Sequence, residues 1–289
     1  MFDKISRTNI VKMLYWRLFA MLYAGTGQFA DIVMANSSWT MSHLSRIWKL
    51  EPNRLSIVYP PCDTKALSQI TVDKMRNKDI VCVAQFRPEK DHATIIKAFA
   101  VLVHDLMPEL AHTSRLILIG TVRNQSDRVR LQALRALTEE LHVNRSVDFH
   151  EDLPWSKVIE RLGQSWIGTN AMWNEHFGIG VVEYMAAGLL AVAHDSAGPK
   201  MDIVVDFEKS RTGYRATDVL SFAECYASAL RLDVAECAAM RRRAQKSSAR
   251  FSEDIFASAW QRVMIETMKI EKSKRLARNH HLQFPMNGF

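Results

Sequence analysis

Residues 80–100 read IVCVAQFRPEKDHATIIKAFA, an apolar run followed by a polar loop and then a helical pattern. A short apolar run bounded by turn residues is typical of a buried strand, whereas apolar residues three and four apart indicate a helix. The same change recurs after the apolar runs at 115–119, 147–149, 166–170 and 189–194. Short apolar strands that alternate with helices indicate βα units and a parallel sheet covered on both faces. The sequence therefore predicts an α/β fold with a doubly wound parallel sheet.

The helices of this Rossmann-like domain are predicted to follow its strands. The patterns place them at 91–107, at 126–142, after Pro154, from Phe177 or Gly178, and near Lys200. Ser126 or Asp127 is expected to cap the second helix, because both side chains can accept a hydrogen bond from a first-turn N–H group. The domain is predicted to span 79–250 and to hold the functional site.

The segment before this domain, 1–78, carries a single further βαβ pattern. DIVMANS (31–37) and LSIVY (55–59) are predicted strands, and a helix capped by Ser37 or Ser38 lies between them. One such unit cannot bury a sheet by itself, because both faces of a parallel sheet need cover. We therefore interpret 1–78 as the remnant of an N-terminal domain together with a linker.

The net charge of +7 is concentrated at the end of the chain. Residues 1–239 hold 27 basic and 27 acidic residues, whereas 240–289 hold 11 basic and 4 acidic residues. A helix with an apolar stripe is predicted at 251–275, packing back toward the N-terminal domain, and a basic tail, 276–289, follows it. The excess charge suits contact with an anionic membrane surface and a solvated tail equally well. It does not indicate a nucleic-acid partner.

Residues 11–24, VKMLYWRLFAMLYA, are the nearest candidate for a membrane segment. They are shorter than the ~20 residues that a span needs, and Arg17 interrupts them. Two interpretations remain open. The segment lies at a bilayer interface, with Lys12 and Arg17 reaching the polar layer, or it is an ordinary buried helix of a larger fold.

Composition excludes several classes of protein. With 48% hydrophobic and 24% charged residues, the chain is neither disordered nor collagen-like. Its cysteines form no CxxC pair and no zinc-type spacing with histidine, so we expect small buried thiols and no disulfide framework. The cysteines are Cys62, Cys82, Cys225 and Cys237.

Two cations lie in the loop after the first strand of the main domain. In QFRPEKD (85–91), Arg87 and Lys90 stand three residues apart on a loop that Pro88 stiffens. Ligands of open α/β sheets bind at the carboxyl ends of the strands, where this loop is predicted. Arginine offers a planar fork and lysine a compact point charge, a combination that suits a diphosphate. Taken alone, the pair is equally compatible with a solvated charged loop.

The loop after the fourth strand carries two carboxylates. In MWNEHFGIGVVEYMAAG (172–188), Glu175 and Glu183 enclose Gly178 and Gly180 at the start of a helix. Glycine allows close approach to the backbone, and the N–H groups of a helix N-terminus bind an anion. The helix rises ~7.5 Å from Gly178 to Glu183, about the distance from a bound phosphate to the ribose of a nucleotide. We expect Glu183 to bind the ribose and Glu175 to address a group beyond the diphosphate, such as a sugar.

These motifs together resemble the retaining glycosyltransferases of the GT-B fold, family four. Within them, 172–188, FRPEKD (86–91), HDSAGPKMDIVV (194–205) and NSSWT…IVYPPCD (36–63) resemble the α-1,2-mannosyltransferases of dolichol-linked oligosaccharide assembly. The resemblance covers about 1–275. It implies transfer of mannose from GDP-mannose to the dolichol-linked precursor of N-glycans, at the cytosolic face of the endoplasmic reticulum membrane.

The resemblance also implies roles for the matching residues. Arg87 and Lys90 would hold the diphosphate and stabilise charge on the departing GDP. Glu175 would bind the mannose hydroxyls and Glu183 the ribose. The backbone expected to meet the sugar and the phosphates is that of Phe177, Gly178 and Ile179. One departure is Ala197, which stands where the family pattern has the first of two glycines.

No metal cofactor is expected. The chain contains no Asp-x-Asp, the pair that chelates a metal in the other main glycosyltransferase fold. Arg87, Lys90 and helix N–H groups would neutralise the leaving diphosphate instead. Two alternatives stay open: another retaining GT-B transferase with a different donor or acceptor, and a catalytically silent donor-binding fragment.

Overall fold

The computed structural model describes residues 7–283, and side chains for residues 10–279. The chain divides into two compact units. The larger unit comprises Tyr59–Phe256, and the smaller one is built from the described residues before and after it. The larger unit begins at Tyr59, 20 residues before the predicted 79–250 domain. Its first residues contact its last ones, since the Cys62 N–H donates to the carbonyl of Phe251 at 2.9 Å.

Strands and helices alternate along most of the chain. The strands are β1 (Val33–Ala35), β2 (Leu55–Ile57), β3 (Asn77–Val83), β4 (Leu116–Gly120), β5 (Val147–Glu151), β6 (Ser165–Asn170), β7 (Leu190–His194) and β8 (Gly213–Ala216). The helices are α1 (Arg7–Thr26), α2 (Ser38–Trp48), α3 (Thr64–Leu67), α4 (His92–Val101), α5 (Gln125–Glu140), α6 (Trp155–Gln164), α7 (Ile179–Ala186), α8 (Val219–Arg231), α9 (Val234–Ser248) and α10 (Glu253–Gln283).

The larger unit contains a six-stranded parallel sheet in the order β5-β4-β3-β6-β7-β8. The predicted doubly wound parallel sheet is thereby confirmed, with β8 as a strand that the sequence patterns did not predict. The chain moves outward from β3 through β4 to β5 and then returns to β6 on the other side of β3. Loops that follow β3 and β6 therefore diverge and leave a crevice at the carboxyl edge of the sheet, where α/β proteins bind ligands.

The sheet is covered on both faces, as its continuous apolar strands predict. Along β3, Ile80 and Cys82 belong to one buried cluster and Val81 belongs to another. The first cluster includes Phe99 of α4 and the second includes Tyr184 of α7. Each fully buried aliphatic or aromatic side chain of this kind stabilises the fold by about 1.5–3 kcal/mol. This packing fixes the strand ends from which the site loops emerge.

The smaller unit contains the predicted βαβ unit. β1 pairs with β2 in parallel, and α2 connects them. The side chain of Ser37 accepts a hydrogen bond from the N–H of Thr40 at 3.1 Å, so Ser37 rather than Ser38 is the N-cap.

Helix α1 exposes apolar side chains over most of its length, so the described residues do not bury it. These side chains are 41–66% exposed: Ile10, Val11, Met13, Leu14, Tyr15, Trp16, Leu18, Phe19, Met21, Leu22 and Tyr23. Within the part of the chain that the structure describes, no helix combines the length and the apolar character needed to cross a bilayer.

Three local predictions are wrong. Asn124, not Ser126 or Asp127, caps α5, because its side chain accepts the Asp127 N–H at 3.0 Å. No α-helix forms near Lys200, where Pro199–Ile203 make a single wide turn. The tail predicted from 276 onward continues α10 as far as Gln283.

The cysteines are free thiols, as expected. Cys62, Cys82 and Cys237 are buried, and Cys225 is partly buried.

Candidate functional site

The loop after β3 is held by a short helical turn and a cap. Pro88–Lys90 form one 3₁₀ turn, and Asp91 follows in the left-handed region at φ 45°. The side chain of Asp91 accepts the N–H of Thr94 at 3.3 Å and so starts α4. Asparagine and aspartate tolerate this backbone region better than most residues, because their short polar side chains bond locally. The turn directs Lys90 toward β6.

Lys90 and Glu175 meet across the crevice. The Lys90 Nζ lies 2.5 Å from the Glu175 Oε2 and 3.2 Å from the Met172 Sδ. The two charged side chains are 22% and 16% exposed, so solvent screens their attraction only in part. A cation suited to a phosphate and a carboxylate suited to hydroxyl groups are thus joined at the strand ends that the topology brings together.

The Glu175 loop leads directly into α7. Gly178 caps this helix at φ 112°, a conformation that L-residues other than glycine rarely adopt. The first N–H groups of a helix have no partner within the helix, and its dipole favours an anion there. The segment predicted to meet a phosphate, Phe177 to Ile179, therefore stands at the start of α7.

An aromatic cluster packs around the side chain of Phe177, within this segment. The side chain of Phe177 is 3% exposed, and its ring packs against Tyr59 at 5.7 Å and Phe251 at 5.3 Å between centroids. The Tyr59 hydroxyl donates to the Asp202 carboxylate at 2.8 Å. Because the ring is buried in this cluster, its side chain fixes the position of the segment that leads into α7, and the expected contact of the Phe177 backbone with a ligand stays a prediction.

The loop after β7 locks the Glu175 loop in place. The Asn174 N–H donates to the Ser196 hydroxyl at 2.8 Å, and the Gly198 N–H donates to the Glu175 carbonyl at 3.0 Å. The Ser196 hydroxyl also lies 2.9 Å from the His194 Nδ1. A side chain at Gly198 would collide with the carbonyl oxygen of Phe177. Glycine is therefore sterically required at this second position of the expected double glycine.

Ala197, at the other glycine position, is accommodated at an energetic cost. It lies in the left-handed region at φ 43° and is 4% exposed. An alanine in this region is destabilised by about 1 kcal/mol, because its Cβ approaches the neighbouring carbonyl oxygen. The departure from the family pattern therefore leaves the loop formed but strained.

Glu183 lies on α7 and is largely buried. Burial raises the pKa of its carboxyl group above the ordinary value of 4.5. Among the described residues, no hydrogen bond compensates this carboxylate. Glu183 also helps to raise the pKa of the nearby Cys62 thiol to about 12, although burial is the larger cause. Such a carboxylate is well suited to accept hydrogen bonds from a ligand, because it lacks protein partners.

The structure brings only some of the predicted residues together. Lys90, Glu175 and the start of α7 form one cluster. The Arg87 guanidinium instead pairs with Glu89 at 2.8 Å, and its side chain is 41% exposed. No group of three or more histidine, cysteine, aspartate or glutamate side chains within the described residues is arranged to hold a metal ion.

Sequence reasoning did not find Met172, His194 or Ser196 as parts of the site. The SAGP segment at 196–199 offered a signal for Ser196, since it follows a strand at the same edge of the sheet. Met172 and His194 begin the motifs 172–188 and 194–205, but the sequence analysis gave neither side chain a role in the site.

Two family models match the chain. The model described as glycosyl transferases group 1 matches residues 63–247, and the model described as ALG11 mannosyltransferase N-terminus matches residues 2–48. These matches confirm the resemblance that the motifs at 86–91 and 172–188 predicted.

Curated relatives extend over most of the chain. The proteins named GDP-Man:Man(3)GlcNAc(2)-PP-Dol alpha-1,2-mannosyltransferase from Neurospora crassa and Mus musculus are 43% and 42% identical to it. The alignments cover 86% and 89% of this chain, and 48% and 53% of the relatives. The chain thus spans about half the length of the curated relatives it matches.

Solved structures agree on the fold. A sucrose-phosphate synthase from Thermosynechococcus elongatus has a TM-score of 0.71 at 19% identity, covering 89% of this chain and 62% of its own. A glycosyltransferase from Rickettsia africae has a TM-score of 0.68 at 16% identity, covering 86% and 66%. At such identities the likeness concerns the fold alone, which is that of the GT-B glycosyltransferases.

Proposed function

The chain belongs to the glycosyl transferases group 1 family, and from this premise we propose that it binds GDP-mannose beside β3, β6 and α7. The complete protein transfers the mannose, with retention and in α-1,2 linkage, to the dolichol-linked oligosaccharide precursor of N-glycans. The contact of 2.5 Å between Lys90 and Glu175 is the observation that supports this most directly, since it joins phosphate-binding and sugar-binding chemistry. The names of the relatives supply the nucleotide and the acceptor.

The proposed chemistry needs positive charge where the diphosphate leaves. As the bond between mannose and GDP breaks, negative charge grows on the phosphate oxygens. The Lys90 ammonium and the first N–H groups of α7 are fixed donors that stabilise such charge without reorganising. Glu175 accepts hydrogen bonds from the sugar and orients it toward the acceptor hydroxyl. We infer that transfer requires no metal ion.

Calorimetric titration with GDP-mannose and UDP-glucose tests the donor site. We expect GDP-mannose to bind more tightly, and Lys90→Ala to weaken it at least about tenfold by removing a charge-assisted hydrogen bond. Lys157→Ala is the matched control, because it removes a lysine from an exposed pair with Glu160 at 2.8 Å on α6. Preference for UDP-glucose, or equal effects of the two substitutions, would contradict the proposal.

Transfer is tested separately from binding. The reaction contains GDP-mannose and a lipid-linked Man(3)GlcNAc(2) acceptor, with and without EDTA. It is run with this chain and, separately, with a longer protein that has the full length of the curated relatives. We expect the longer protein to transfer mannose equally well in EDTA. Loss of transfer in EDTA would overturn metal independence. Binding of GDP-mannose without transfer by either protein would favour a donor-binding module over a transferase.

We also propose that the protein associates with the cytosolic face of the endoplasmic reticulum membrane through α1. Its exposed Tyr15, Trp16 and Phe19 form a chain of ring contacts at 5.3–6.5 Å, and such side chains favour the bilayer interface. Co-sedimentation with neutral and anionic vesicles tests this. We expect binding to both, lost in the Trp16→Ser, Phe19→Ser double variant and kept in Val129→Ser, which alters an exposed residue of α5. Binding to anionic vesicles alone, unchanged in the double variant, would assign the contact to the basic end of α10.

A further inference from the structure

Strands β3 and β6 are paired along much of their length but separate at the carboxyl edge of the sheet. Their last paired residues are Val81 and Gly168, although β3 continues to Val83 and β6 to Asn170. The neighbouring pairs do not separate there, since β4 follows β3 as far as Val83 and β7 follows β6 as far as Asn170. The gap is therefore local to the two strands whose loops form the proposed donor site.

The side chain of Tyr184, on α7, fills this gap. The Ala84 N–H donates to Ile119 of β4 at 2.9 Å, so the N–H of Val83 points the other way, toward β6. There it donates to the Tyr184 hydroxyl at 2.7 Å. The Tyr184 ring lies against Gly168 of β6, where a Cβ would collide with it. Tyr184 thus stands between the two strand ends and takes the hydrogen bond that would otherwise join them.

The same hydroxyl lies beside the first turn of α7. A Cβ at Gly180 would lie 4.0 Å from the Tyr184 hydroxyl and 3.7 Å from the Val83 carbonyl oxygen. This turn carries the N–H groups that we assign to the phosphates, and Lys90 lies on the loop after β3. One hydrogen bond therefore links the end of β3 directly to α7, and these two elements carry the proposed phosphate ligands.

The bond between Val83 and Tyr184 is protected from water. Tyr184 is fully buried in an apolar cluster that includes Ile117 and Leu162. Burial raises the pKa of its hydroxyl well above the ordinary value of 10, so the group stays neutral and keeps its proton. Removal of the hydroxyl would leave the Val83 N–H without an acceptor in these surroundings, where an unmade hydrogen bond is costly.

We propose that Tyr184 is a positioning residue of the donor site, whose hydroxyl holds the end of β3 in place against α7 so that Lys90 and the first N–H groups of α7 meet the same diphosphate. This inference rests on the proposed function. Because the two sets of phosphate ligands come from separate elements, a shift of one element against the other weakens the contacts of both. A residue behind the ligands that fixes their spacing therefore contributes to donor affinity without touching the donor.

Tyr184→Phe tests this proposal, because it keeps the ring against Gly168 and removes only the hydroxyl. Tyr226→Phe is the matched control: Tyr226 is equally buried, and its hydroxyl pairs with Thr169 of β6 at 2.8 Å on the opposite face of the sheet. Both variants should lower the midpoint of urea unfolding to a similar extent, since each loses one buried hydrogen bond. Calorimetric titration should show affinity for GDP-mannose reduced about tenfold in Tyr184→Phe but by less than about twofold in Tyr226→Phe.

A double-mutant cycle with Lys90→Ala decides whether Tyr184 acts through Lys90. Residues that act through one another change the affinity non-additively, so Tyr184→Phe should weaken binding by less than about threefold in the Lys90→Ala background. Equal affinities of Tyr184→Phe and Tyr226→Phe, or an undiminished loss in the Lys90→Ala background, would overturn this inference and leave the donor site in place. Absence of GDP-mannose binding by the unaltered chain would overturn the proposed function and this inference together.

Discussion

The two edges of the six-stranded sheet hold their cations in opposite ways. At the carboxyl edge, Lys90 already has a carboxylate partner, Glu175, at 2.5 Å. At the amino edge, Arg76 has only carbonyl partners, and Arg241 has the face of Trp166. In the proposed donor site a diphosphate would share Lys90 with Glu175, so we expect selectivity for ligands that also satisfy the carboxylate. At the second edge the two guanidinium groups rely on neutral partners, so their burial costs stability that a carboxylate partner would offset.

We expect the largest effect on the free energy of unfolding from Arg76, which donates to several backbone carbonyl groups. Arg76→Met should lower the free energy of unfolding by about 4 kcal/mol, because several buried carbonyl oxygens lose their donor at once. Arg241→Met should change it by less than about 1 kcal/mol in chloride buffer, since a poorly compensated charge is removed. Urea unfolding of both variants measures the contrast. Similar losses in the two would show that both arginines serve the fold in the same way and would end the distinction between them.

A buried histidine near the carboxyl edge gives the next effect. His92, at the start of α4, is 2% exposed, and burial lowers its pKa from 6.5 to about 4. The unfolded chain therefore binds a proton that the folded chain does not between pH 6.5 and about 4, and the stability falls as the pH falls through this window, by up to about 3 kcal/mol. His92→Phe should flatten the stability difference between pH 7 and pH 4.5, measured by urea unfolding. An unchanged slope would exclude His92 as its cause.

Glu183 is a buried carboxylate without a hydrogen-bond partner among the described residues. Because burial raises its pKa above 4.5, stability falls as the pH rises from that value through the raised one, and the full penalty is present above it. Glu183→Gln should therefore stabilise the chain by about 1 kcal/mol at pH 7.5 and leave it unchanged at pH 4. The same variant should weaken GDP-mannose binding, as measured by calorimetry. Greater stability with unaltered binding would remove Glu183 from the donor site.

The smallest effect concerns backbone strain at the carboxyl edge. Ala197→Gly should raise the free energy of unfolding by about 0.5–1 kcal/mol, since glycine adopts φ 43° without a Cβ conflict. Gly163→Ala on α6 is the reverse control, because its backbone is helical and its Cβ would meet only Ile70 at 3.5 Å. Urea unfolding checks both. A destabilised Ala197→Gly variant would mean that packing around the methyl group outweighs the strain.

Elements with strong periodic patterns were predictable from the sequence. The apolar runs of β3 to β7 indicated buried strands because a parallel sheet needs no polar face. β8 was not predicted, since GYRA is short and carries Arg215. The end of α10 was predicted as a basic tail, because a helix with few apolar residues lacks the periodic signal from which helices are inferred.

The site residues, like the fold, were predictable from the sequence only in part. The motifs indicated which residues lie at the carboxyl edge, but spacing in sequence carries no distances. It did not reveal that Lys90 contacts Glu175 while Arg87 turns to Glu89. Arg241 counts toward the excess charge of 240–289, but its side chain is buried and so does not face an anionic surface. Three consecutive arginines, 241–243, have different surroundings on successive sides of one helix, a difference that composition cannot express.

The pairing of β3 with β6 has a consequence for folding. It joins residues more than 80 positions apart, such as Val81 and Gly168, and the chain between them forms β4, β5 and their helices. Contacts of such long sequence separation form late and slowly. Lys90 and Glu175 can therefore meet only when the centre of the sheet has closed. During refolding, recovery of nucleotide binding should lag behind recovery of helical signal, so the ligand reports on completion of the sheet rather than on its first helices.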